Sequence, residues 1–201
     1  QRTRPVGLTD DNNAYPLIEQ AAEAMVSEPD GLFKHHLLFE NHPWIKDYED
    51  IDMQLFRDWM LSNTLAMRYF SEGVNRPYYW LERKSDMGIS YFTSNYIGDV
   101  IELSETALWK AEYLVTQEEY SEALDWIICA YRAARHISRT PSLIFEQYAA
   151  LKLKHITLDE LYKILLNADL PAEALSEYQD KLSNEFEKDR YVPDYSLEDI
   201  R

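Results

Sequence analysis

The sequence predicts an all-α fold, a single compact helical domain built of α-α hairpins, on three observations. Glycine is scarce, with 5 residues among 201, well under the usual share of about 7%. A β-rich chain of this length would need many tight turns, and such turns consume glycine. Apolar residues recur at three- and four-residue spacing through most of the chain, the pattern of helices with one buried face. A length of 201 residues with 46% hydrophobic residues is enough for one domain with a real core.

Residues 1–10 read as a loose N-terminal arm, since Arg2, Arg4, Pro5 and Gly7 offer little to bury. The domain is expected over 11–189. A first helix starts near Asn13, with Ala14, Leu17, Ile18, Ala21 and Met25 on one face and Pro16 in the first turn, where its missing N–H costs nothing. Pro29, Asp30 and Gly31 end it. Pro43 and an acidic run divide 32–52 into short pieces. A helix over about Ile51 to Ser71 carries Met53, Phe56, Met60, Met67 and Phe70 near one side, and Gly73, Asn75 and Pro77 stop it.

Residues 76–93 lack a stable period and read as a short helix followed by a long connection. A helix from about Ser94 to Val115 turns Ile97, Ile101, Leu108, Ala111 and Leu114 inward. "TQEE" (116–119) turns the chain into a helix over 118–137. A further helix begins at Pro141 with Ile144, Tyr148 and Leu151 as its stripe, and Thr157 with Glu160 forms a T-x-x-E capping box that opens another. Asp169 and Pro171 open the last, striped by Leu175, Tyr178, Leu182 and Phe186. Residues 190–201 form a polar C-terminal tail.

The 118–137 helix is apolar around most of its girth. Tyr120, Ala123, Leu124, Ile127, Ala130, Tyr131 and Ala134 cover one face, and Trp126, Cys129, Ala133 and Ile137 widen it. The narrow polar stripe holds Ser121, Glu122, Asp125, Arg132, Arg135 and His136. A surface that wide predicts neighbours on at least two sides.

Within "ALWKAEYLVTQEEYSEALDWIICAYRAAR", Ala111 is the small residue of one helix. Tyr120, Ala123, Ile127 and Ala130 follow in the order aromatic, small, large, small. The stretch resembles a tetratricopeptide (TPR) helical hairpin, in which small residues at the crossing let paired helices approach. It departs from that pattern at Glu118, where the turn usually has Gly, at Arg135, where Pro commonly closes the repeat, and in lacking the Leu before the first small residue. No clean second copy follows at the 34-residue period of such repeats. The resemblance therefore implies TPR-like hairpins within a compact domain. "NNAYPLIEQA" and "AYRAARHISRTPSLI" are similar to segments of uncharacterised bacterial proteins, a likeness that implies no activity.

The net charge is −16, with 20 Lys and Arg against 36 Asp and Glu. Nucleic acid is excluded as a partner because phosphate binding needs a basic face. The longest apolar runs fall short of a membrane span, so no integral membrane segment is expected. Cys129 is the one cysteine, so neither a disulfide within the chain nor a Cys-based zinc site can form. The chain opens at Gln1, and both a cytoplasmic location and export with a leader removed before Gln1 fit the sequence.

Three constellations bear on chemistry. His35, His36, Glu40 and His42 are metal-capable groups, and a helix would bring His36 and Glu40 together. However, Pro43 follows His42 and His35 diverges from His36, so no metal or other cofactor is expected. Tyr78, Tyr79, Trp80, Arg83 and Lys84 form an aromatic, basic segment that either fills core or stacks a sugar or peptide. Glu102, Glu105, Trp109 and Glu112 lie along one helical strip, read as an exposed acidic face or, beside the aromatics, as the acids of a glycan cleft. Motifs for phosphate binding and nucleophilic catalysis are absent from the sequence.

The function these observations favour is a non-catalytic helical scaffold that binds a peptide or protein partner, with no catalytic residues expected. The acidic charge predicts a basic or neutral partner whose association weakens with salt. The binding residues would be Tyr78, Tyr79, Trp80, Arg83, Glu102, Glu105 and Trp109. The alternative is a small-ligand or glycan-binding protein, a hydrolase included, using the same aromatic and acidic groups. Oligomeric state is left open.

Overall fold

Seven α-helices follow one another in the computed structural model, which describes residues 7–29, 32, 52–81, 89–139, 144–167 and 170–190. They are α1 (Tyr15–Ala24), α2 (Met53–Ser62), α3 (Thr64–Val74), α4 (Ile89–Thr116), α5 (Tyr120–Arg139), α6 (Ile144–Asn167) and α7 (Ala172–Arg190). The fold is all-α, one domain of packed helices. The nearest approach to a sheet among the described residues is an isolated parallel bridge between Asn13 and Tyr78.

The girth of α5 has a direct explanation. It packs against α3, α4, α6 and α7, so its sides face four other helices. Ala123, Ala130, Ala133 and Ala134 are fully buried, as is Ala111 on α4, so small residues line the close approaches. The polar stripe is narrower than the sequence predicts. Arg135 and His136 are buried, because Glu185 of α7 and the Val74 carbonyl of α3 come over that side and give them partners.

The turn between α4 and α5 places Glu118 at φ 63°, in the left-handed region that usually calls for Gly. Glu119 N donates to Leu114 O at 2.9 Å and Glu118 N to Val115 O at 3.1 Å. This pair of bonds is a Schellman closure of the helix end.

The predicted helix over Ile51 to Ser71 is two helices. Asn63 divides them because its side chain is committed to a neighbour: Nδ2 donates to Val26 O at 3.1 Å, and Oδ1 accepts from Val26 N at 2.8 Å. Asp52, from the acidic run before α2, is its N-cap, accepting from Gln54 N at 3.0 Å and Leu55 N at 3.1 Å. Gly73 does not stop a helix. It lies inside α3, where a Cβ would meet Ile18 Cγ1 at 3.1 Å and Leu17 Cβ at 3.2 Å, so its lack of a side chain lets α1 and α3 touch.

Residues 144–167 form one helix rather than two. Thr157 and Glu160 are buried in its middle, and Thr157 Oγ1 donates to Leu153 O at 2.8 Å. A capping box requires the backbone to leave the helix there, and packing of Leu153, Ile156 and Leu161 keeps it helical. The predicted stripe of this helix is also displaced: Tyr148 and Leu151 are each 65% exposed, while Ala149, Ala150 and Leu153 face the core. The Ile144 side chain lies outside the described residues. On α7, Tyr178 is buried as expected and Leu175 and Phe186 are exposed.

α4 begins at Ile89, earlier than the predicted Ser94, and residues 76–81 are not helical, with Tyr78 in the isolated bridge to Asn13. At the N-terminus, residues 7–12 close on themselves through Thr9 N to Asn12 Oδ1 at 2.7 Å and Asn12 Nδ2 to Gly7 O at 2.9 Å, and Leu8 is buried. This end of the predicted loose arm is thus docked. Residues 1–6 and 191–201 lie outside the described residues.

Candidate functional site

The aromatic segment is held by Asn13. Its Oδ1 accepts from Trp80 N at 2.8 Å and its Nδ2 donates to Trp80 O at 2.9 Å, while Ala14 N donates to Tyr78 O at 2.7 Å. The segment therefore runs beside the start of α1 as a third partner to α1 and α3. Tyr78 is 37% exposed and Trp80 half-buried. Tyr79 turns inward, edge-on to Tyr15 at 6.1 Å and stacked on His136 at 5.7 Å. Burial raises the Tyr79 phenol pKa well above its ordinary value, with Tyr96, Tyr15 and Glu146 adding to the effect. Arg83, Lys84 and the metal-capable His35, His36, Glu40 and His42 lie outside the described residues.

The acidic strip on α4 divides. Glu102 is exposed, but Glu105 and Glu112 are buried, and so is Trp109. Trp109 packs with Leu32, Phe56 and Trp59, whereas Tyr79 packs against the cluster of Met67, Phe70, Val100 and Leu103. Tyr79 and Trp109, both among the predicted binding residues, thus pack against separate parts of the core. Among the described residues, no group of three or more His, Cys, Asp or Glu is placed to hold a metal.

Sequence reasoning missed a buried carboxyl pair. Glu112 of α4 and Glu160 of α6 come together at the α4–α6 contact, where Lys163 Nζ donates to Glu112 Oε1 and lies 3.9 Å from Glu160 Oε2. Burial first, and the Glu112 charge second, raise the Glu160 pKa far above the carboxylate range. The two residues are 48 positions apart on different helices, so local spacing does not announce the pair.

The outer face of α6 was missed as well. Tyr148, Leu151, Leu158, Tyr162, Leu165 and Leu166 are exposed, by 64–65% at Tyr148, Leu151, Tyr162 and Leu166. On the opposite side Ala149, Ala150, Leu153, Ile156, Leu161 and Ile164 hold the helix to the domain. α6 is therefore apolar on two sides and packed on one. Phe186 of α7 extends the outer face, since it and Leu158 line the same gap of about 10 Å³ between α5, α6 and α7. The signal was present: an isolated surface helix shows one apolar stripe, and this sequence carries two.

Comparison with family models, with curated proteins and with solved structures finds no match to this chain. No helix among the described residues is long and apolar enough to cross a membrane.

Proposed function

We propose that this chain is a non-catalytic helical scaffold that binds a peptide or protein partner through the outer face of α6. One observation carries the reading, the row of exposed Tyr148, Leu151, Tyr162 and Leu166 on a helix whose other side already satisfies the core. Contiguous apolar surface of this kind on a folded domain marks an interaction site, and an apolar helix face is a common docking element. The α4–α5 pair, with its TPR-like order of small and large residues, is the rigid support on which α6 is presented. The alternative of a glycan or small-ligand cleft has less behind it, because Tyr79 and Trp109 sit in different clusters.

The test compares the wild-type chain with a Leu151→Glu, Tyr162→Glu double variant as bait in extracts of the source organism. Both positions are exposed, so the variant keeps its circular dichroism spectrum. The reading expects a partner retained by the wild type and lost by the variant, and hydrogen exchange slowed over 148–166 when that partner is bound. Equal retention by both baits would refute it.

A further inference from the structure

The exposed residues of α6 follow a strict order. Tyr148, Leu151, His155, Leu158, Tyr162 and Leu165 succeed one another at steps of three, four, three, four and three. This is the spacing of a coiled-coil seam, by which one helix lies along another with its side chains in the other's holes. The His155 side chain, in the middle of the row, is 69% exposed and pairs with Asp159 on its own helix at 3.2 Å. A seam of this kind specifies a helix as its occupant.

The charges beside it specify which helix. Lys152 and Asp159 lie on the same edge of the seam, one to each side of its midpoint. A two-fold axis between His155 and Leu158 would set Tyr148 against Leu165 of a second copy, Leu151 against Tyr162 and His155 against Leu158. It would also bring Lys152 to Asp159 of that copy on both sides. The seam is thus complementary to itself when the second helix runs antiparallel. In a parallel pair the same edge would meet the edge holding Lys154 and Leu161, of which Leu161 is buried and Lys154 lies over the Tyr131 ring at 5.4 Å.

Net charge opposes pairing of two chains at −16 each, yet the face itself is not acidic. Lys152 stands there against the exposed Asp159, with Glu146 and Glu160 buried on the other side. The remaining repulsion acts at a distance and is screened beyond about 8 Å at physiological salt.

We infer that α6 is a homodimer interface, with the partner of the proposed interaction face being a second copy of this chain packed antiparallel, α6 on α6. The inference rests on the reading of that face as an interaction site. Sedimentation of the full chain from low to high micromolar concentration should give the mass of two chains, and the Leu151→Glu, Tyr162→Glu variant the mass of one. Lys152→Asp should weaken association about tenfold, and Lys152→Asp combined with Asp159→Lys should restore it. Chains carrying Leu151→Cys should form disulfides with chains carrying Tyr162→Cys and little with one another. A wild-type chain that stays monomeric throughout would overturn the dimer, as would one whose association survives the Glu variant. Preferential Leu151→Cys self-linking would overturn the antiparallel arrangement. A monomer that still loses a different captured protein on the Glu substitutions would overturn this inference and leave the interaction face standing, so the two failures are separable.

Discussion

The Glu160 carboxyl lies fully buried beside that of Glu112, and Lys163 is the cation that serves them both. One lysine between two carboxyl groups leaves a proton to be shared. Burial, and the neighbouring Glu112 after it, favour the proton on Glu160 and raise its pKa to about 10. In the unfolded chain the same group ionises near pH 4.5. Its contribution to stability is therefore fully present below that pH and is lost as pH rises toward 10, at roughly 1 kcal/mol per pH unit. Glu160→Gln keeps the shape and removes the ionisation. Thermal unfolding from pH 5 to pH 9 should show the variant gaining on the wild type as pH rises; parallel curves would mean that Glu160 ionises freely in the fold.

Gly73→Ala tests the α1–α3 crossing. The added methyl meets Ile18 and Leu17 at 3.1 and 3.2 Å, and the Ala14 carbonyl at 3.4 Å. Better helix propensity is worth about 1 kcal/mol in the other direction, but overpacking between two helices costs about 1–3 kcal/mol. A net loss of stability in urea is expected. A stabilised variant would show that α1 can shift outward at no cost.

Glu185 docks α7 on α5. Its Oε2 accepts from Arg132 Nε at 3.0 Å and from Arg135 Nη1 at 3.0 Å, with Oε1 bonded to Arg132 Nη2. Removing one member of a buried ionic group strands the others. Glu185→Ala should cost roughly 3–5 kcal/mol, read as a lowered denaturation midpoint. Co-substitution of Arg132 and Arg135 by Met should recover part of it. A cost under about 1 kcal/mol would place the docking energy in Tyr178 and Leu182 instead.

Glu118→Gly should stabilise the α4–α5 turn. A non-glycine residue at φ 63° carries roughly 1–2 kcal/mol of strain. Glycine relieves it and adds disorder to the unfolded chain, so a net gain of about 0.5–1 kcal/mol is expected from denaturant titration. No gain would mean that the Glu118 side chain contributes to the turn.

The sequence shows the helices clearly where one side of each is wet. The stripe of Leu17, Ile18 and Ala21 on α1, and the wide face of α5, are buried as their spacing predicts. Glu118, in the turn after α4, takes the left-handed conformation that usually calls for glycine, which its own residue type does not announce. Legibility fails where the tertiary partner decides. Asn63 breaks a helix only because Val26 is there to receive its side chain, and Thr157 with Glu160 mimics a helix start that packing against α5 overrides. On α6 both sides are apolar, and periodicity alone cannot say which meets the core. Size and spacing point to Tyr148 and Leu151, but the alanines at 149 and 150, whose small size suits a close helix contact, are what face inward. The aromatic segment failed for the same reason in reverse. Tyr79 packs against the core and Tyr78 is surface, a division set by the backbone bonds to Asn13 and Ala14.

Asn13 and Trp80 are 67 residues apart, and that separation acts on the chain while it is being made. α1 leaves the ribosome before α3 is made, with Leu17, Ile18 and Ala21 bare. Gly73, Val74 and Trp80, against which that end of the chain closes, follow only after synthesis at about 5–20 residues per second has gone on for several seconds more. During that interval the nascent segment carries an apolar helix face with no native partner yet in existence. α1 thus passes through synthesis with its apolar face uncovered, although Leu17, Ile18 and Ala21 are buried in the finished molecule.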